Sequence, residues 1–73
     1  MRIRYGRLFI ESCPLPIRGG GFTVDTYVTR HRDPVDSLVR YFPSGKVFST
    51  EEIATEYGIQ VGKQAVDSGL MPL

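Results

Sequence analysis

Seventy-three residues, 41% hydrophobic and 23% charged, describe one small globular domain and exclude a disordered or fibrous chain. The net charge of +1 gives the whole molecule no strong pull toward polyanions, and the single cysteine, Cys13, rules out an internal disulfide or a thiolate zinc site. No stretch approaches the roughly 18 apolar residues of a membrane span, and no apolar run follows the N-terminal arginines as a signal peptide would require. A complete, cytoplasmic chain forming one domain over 1–73 is the expectation.

In chain order, residues 2–12 are rich in strand formers, but Ile3 and Tyr5 share one parity while Leu8 and Ile10 share the other. A bulge at Gly6-Arg7 would restore the phase. Cys13 to Gly21 carries two prolines and three glycines and reads as the tip of a hairpin. Residues 21–31 form the cleanest strand, with Phe22, Val24 and Val28 on one face and Thr23, Asp25, Tyr27, Thr29 and His31 on the other. Within 33–42 two rules compete. Val35, Leu38, Val39 and Phe42 have helical spacing, with Asp33 as cap and Pro34 at the first helical position. The run 38–42 is also short, β-branched and aromatic, and Phe42-Pro43-Ser44-Gly45 is a turn signature, which favours a hairpin of 38–42 with 46–49.

Residues 50–68 read as an amphipathic helix. Ser49 followed by Glu52 has the spacing of a capping box, with Phe48 and Ile53 as a hydrophobic staple. Ile53, Ala54, Tyr57, Val61 and Ala65 form the apolar stripe, Gly58 and Gly62 lie on its edge where close packing would use them, and Gly69 closes the helix. The fold class that follows is α+β: a small three- or four-stranded antiparallel sheet packed on one C-terminal helix.

Residues 1–32 hold six arginines against two acids, and residues 33–73 hold three cations against six acids, so the charge is +4 in one half and −3 in the other. Arg2, Arg4, Arg30, Arg32 and Arg40, with Tyr27 and His31, are the candidate contacts for nucleic acid or another anion if they share a sheet face or edge. The triple glycine beside Arg18 precedes a strand, not a helix, so it lacks the geometry of a phosphate cradle. Cys13 and His31 are the only thiol and imidazole, without an evident third group to orient them. Glu51, Glu52 and Glu56 occupy the first helical turns, where the helix dipole accounts for them. No catalytic residue, cofactor or metal site is expected.

The segment Phe48-Ser-Thr-Glu-Glu-Ile-Ala54, after a Ser44-Gly45 turn and a strand opened by Gly21-Phe22, resembles short uncharacterised bacterial single-domain proteins. The β-β-β-α order is also similar to the arm-binding N-terminal domains of tyrosine integrases and to plant AP2 domains, whose tryptophan this chain lacks. That second resemblance implies DNA reading by exposed sheet side chains. The leading expectation is a non-enzymatic protein-interaction module, possibly self-associating as a homodimer; the alternative is nucleic-acid binding through an arginine-rich sheet face.

Overall fold

A computed structural model describes residues 1–32 and 35–69, with the side chains at 31–39 outside the description. Four strands, β1 (Arg2–Tyr5), β2 (Leu8–Pro16), β3 (Phe22–Arg32) and β4 (Val35–Pro43), precede one helix, α1 (Glu51–Asp67). The sheet is an antiparallel meander in the order β1-β2-β3-β4. The α+β class therefore holds, with four strands. Among the described residues no helix is long and apolar enough to cross a membrane.

Several local expectations change. The phase break near Gly6 is a two-residue hairpin, since Tyr5 pairs with Leu8. Gly6 has φ of 65° and Arg7 has no positive φ, the asymmetry of a turn that needs glycine at its first central position. A tight turn restores the phase as well as a bulge does, because Ile3 then stands opposite Ile10. The strand expected at 38–42 runs from Val35 to Pro43, while Asp33 and Pro34 lie outside the described residues. The strand expected at 46–49 is reduced to one bridge, Phe22 with Phe48, closed by N–H···O bonds of 2.8 and 2.7 Å. β4 pairs instead with β3, with a register shift between Val28 and Thr29. The longer ladder satisfies more backbone groups than a short hairpin with 46–49 would.

The helix starts one residue later than the capping box proposes. Thr50, in extended conformation, is the N-cap and accepts from the Ile53 N–H at 3.1 Å. Phe48 is taken up by its bridge to Phe22 and by ring contact with Tyr57 at 4.9 Å, and Ile53 is 48% exposed, so the expected staple does not form. The buried stripe is Ala54, Gly58, Ile59, Gly62 and Ala65. It is rotated from the one read off the apolar residues because the glycines lie at its centre. A Cβ on Gly58 would run into Ser12 Oγ and come within 2.8 Å of Val24 Cγ2, and one on Gly62 would stand 2.5 Å from Ile10 Cγ2. The missing side chains let the helix backbone rest directly on the sheet. Gly69 follows the C-cap Ser68 with φ of 73° and closes the helix as expected.

Leu8, Ile10, Val24, Val28, Ala54, Ile59 and Ala65 make the core. Two polar residues share it. Ser12 and Thr26, cross-strand partners, are 0% and 1% exposed. Their hydroxyls donate to helix carbonyls, Ser12 to Thr55 O and Thr26 to Gly58 O, both at 2.9 Å. Buried hydroxyls are costly unless bonded, and these two fix the helix both along and across the sheet. At the margin, the Tyr5 hydroxyl donates to both carboxylate oxygens of Asp67 at 2.7 and 2.8 Å and ties β1 to the last helical turn.

Candidate functional site

The helix packs on the central strands β2 and β3 and covers one face of the sheet. Side chains on a strand alternate between faces, and the register assigns each residue to one of them. Leu8, Ile10 and Ser12 on β2 and Val24, Thr26 and Val28 on β3 point to the helix and are buried. The alternate positions make the open face. One row across all four strands runs Arg2, Glu11, Tyr27, Tyr41; a second begins Arg4, Phe9, Thr29; a third is Cys13, Asp25, Pro43.

Within this face the Tyr27 and Tyr41 rings stack at 5.0 Å between centroids and 26° between planes. The Arg2 guanidinium lies over the Phe9 ring at 4.3 Å. Tyr41 keeps 45% of its surface exposed. Its hydroxyl is pushed above the ordinary phenol value by loss of water around it, by the negative charge of Asp25, and by a hydrogen bond to that carboxylate. The Cys13 thiol is likewise raised from 9.0, first by partial burial and then by Glu11, whose carboxylate oxygen stands 3.7 Å from the sulfur. A thiol held protonated is a poor nucleophile. His31 pairs with Asp36 in the β3–β4 ladder, six positions along β3 from Asp25, the partner of Cys13. Six strand positions are about 20 Å, so the register keeps thiol and imidazole strands' positions well apart.

The seven candidate anion contacts do not share one face. Arg2, Arg4 and Tyr27 are on the open face. Arg30, opposite the buried Leu8, and Arg40, opposite the buried Val28, take register positions on the helix side. The side chains of His31 and Arg32 lie outside the described residues. The described open face carries Arg2 and Arg4 against Glu11 and Asp25, two cations and two anions. A face that balances its own charge has little of the phosphate attraction that drives nucleic-acid binding.

The hairpin tip is confined to residues 17–21, shorter than the loop expected over Cys13 to Gly21: Pro14 and Pro16 do not end the ladder, since β2 runs to Pro16 and pairs there with Phe22. Ile17 N–H donates to Gly21 O at 3.0 Å and Gly20 N–H to Ile17 O at 3.1 Å, with positive φ at Gly19, Gly20 and Gly21. No group of His, Cys, Asp or Glu arranged to hold a metal occurs among the described residues. A shallow depression beside the helix is lined by Phe42, Val61, Gln64, Ala65, Asp67 and Ser68; its one carboxylate, Asp67, already accepts from Tyr5. The tyrosine stack escaped sequence reasoning because Tyr41 is outside the clean alternation of 21–31, and only the β3–β4 register puts it beside Tyr27. Comparison with protein-family models, curated proteins and solved structures returned no match.

Proposed function

We propose that this domain is a non-enzymatic protein-interaction module that works through the open face of its sheet. The observation that carries the reading is the Tyr27–Tyr41 stack, half-buried at Tyr27 and exposed at Tyr41, on the β3–β4 side of a face whose described charges cancel. Tyrosine offers large contact area with a polar tip at small entropic cost, and it is enriched where proteins meet. Arg2 on Phe9 adds a second aromatic and cationic patch in the adjoining row. A surface of this kind suits a protein partner better than a phosphate backbone.

The test is photo-crosslinking in cells with benzoylphenylalanine in place of Tyr41, compared with the same group in place of Glu52 on the outer side of the helix. Protein adducts at position 41 and none at 52 support the reading. Equal adducts at both positions refute it. The nucleic-acid alternative is checked on the same protein by titrating a mixed-sequence DNA duplex at low and moderate salt. Amide shifts confined to the sheet and weakened by salt would replace the protein reading with that one.

A further inference from the structure

We infer that the partner on the open face is a second copy of this chain, packed sheet to sheet about a two-fold axis that runs along the strands. The inference rests on the reading of the open face as a protein-binding surface and names its occupant.

The argument starts from the row Arg2, Glu11, Tyr27, Tyr41. A two-fold axis parallel to the strands and midway between β2 and β3 turns the face over while keeping each row at its own level. The order across the sheet is reversed in the copy, so β1 lies over the partner's β4 and β2 over its β3. The row then meets its own reverse. Arg2 falls opposite the second copy's Tyr41, and Glu11 opposite its Tyr27. Each is a favourable pairing. A guanidinium is planar and stacks on aromatic faces, and Arg2 already lies over Phe9 in its own chain, so the tyrosine extends an existing stack. The Glu11 carboxylate accepts from a phenol. In the third row, Cys13 falls opposite Asp25, and a protonated thiol tolerates that neighbour. No cation is set against a cation or acid against acid along the first row. Turning the face about an axis across the strands instead would lay β1 on β1, with Arg2 and Arg4 of the two copies on one strand pair, and like charges would meet.

The available area sets the strength. Four strands of 4, 9, 11 and 9 residues, about 4.8 Å apart with about 3.3 Å per residue, offer on the order of 500 Å² per copy. A total near 1,000 Å² is at the small end of specific interfaces. The dimer is therefore expected to be weak, dissociating at roughly tens to hundreds of micromolar.

Sedimentation equilibrium from about 10 µM to 1 mM is the first measurement, paired with amide shifts over the same dilution series. The expected result is a monomer–dimer equilibrium whose perturbed amides lie on β1 to β4 at open-face positions, weakened at least tenfold by Arg2→Glu and by Tyr41→Ser. Both positions are exposed, and circular dichroism checks that each variant keeps the fold. The single cysteine supplies the orientation. Facing sheets about 10 Å apart, with one strand of lateral offset, set the two Cys13 positions about 11 Å apart, within reach of a short bis-maleimide. Covalent dimer forming in wild type and lost in Tyr41→Ser supports the geometry. A dimer that gives no such crosslink overturns the axis proposed. A chain that stays monomeric at 1 mM overturns the choice of partner and leaves the crosslinking test at position 41 to decide the face. A dimer whose shifts fall on the helix or on the outer edge of β4 overturns both.

Discussion

Replacing Gly58 by alanine tests the central packing claim because the local and tertiary effects have opposite signs. In an exposed helix interior, glycine to alanine stabilises by about 1 kcal/mol. Here the added methyl would run into Ser12 Oγ, with Val24 Cγ2 at 2.8 Å and Ser12 Cβ at 3.0 Å. These neighbours belong to buried strands, so the helix must lift or the side chains must leave their rotamers, at about 1–3 kcal/mol. Lifting also breaks the 2.9 Å bond from Ser12 to Thr55 O, and an unsatisfied buried hydroxyl costs about 1–3 kcal/mol more. After the helix-propensity gain is subtracted, Gly58→Ala should destabilise by about 1–5 kcal/mol, much of what a domain this small has. Urea unfolding followed by circular dichroism reads the change, and the thermal midpoint should fall by about 4–8 °C for each kcal/mol. The double variant Ser12→Ala/Gly58→Ala removes the tightest contact and should recover about 1 kcal/mol or more of the loss relative to additivity. A Gly58→Ala protein as stable as wild type, or effects that simply add, would refute the close approach.

Thr50→Ala should cost about 1 kcal/mol in urea unfolding while Ser49→Ala costs far less, because Thr50 holds the Ile53 N–H; the reverse order would return the cap to Ser49. Glu11→Gln should lower the Cys13 pKa and speed its alkylation at pH 8, modestly, because partial burial is the larger cause of the upward shift and remains; an unchanged rate refutes the Glu11 contribution. The hydrogen bond to Asp67, with smaller effects of lost hydration and the carboxylate charge, raises the Tyr5 phenol above 10.0. A group whose folded pKa is raised lends its stability in full below the unfolded value and loses it as pH rises through the folded one. The gap in urea midpoint between wild type and Tyr5→Phe should therefore be constant below pH 10 and shrink above it, and a pH-independent gap contradicts the bond.

The fold was legible where one physical signal dominated. Alternation in 21–31 and the long apolar period of 50–68 place β3 and the helix within a residue or two of their observed bounds. The glycines mark the hairpin tip, but Pro14 and Pro16, expected to end the ladder, lie within β2. Errors arose where the residue pattern was indifferent between neighbours. Ser49 and Thr50 are both competent caps, and the choice falls to Thr50 in a chain where Phe48 pairs with Phe22, a contact distant in sequence. The buried helix stripe lies about one position from the stripe of apolar residues, because hydrophobicity puts the glycines at its edge while Gly58 and Gly62 mark the line of closest approach. For the site, strand parity put Arg2, Arg4 and Tyr27 on recognisable faces, but whether strands face the same way depends on register. The two-residue turn at Gly6 and the shift near Thr29 decide that Arg30 and Arg40 lie across the sheet from Arg2. Neither feature can be counted from residue types.

Because every strand of the sheet pairs with its neighbour along the chain, the meander also sets the order in which the molecule can assemble. Each ladder closes a short loop and needs no distant segment, so the hairpins can form on the scale of about 1–10 µs apiece. The Phe22–Phe48 bridge then pins the start of the helix beside β3, and the helix need only swing onto a platform already made. The hairpin closures span shorter stretches of chain than the crossovers of a parallel sheet would. Changes at Gly58 act on the last docking event, so they should appear in the unfolding rate and leave the folding rate nearly untouched.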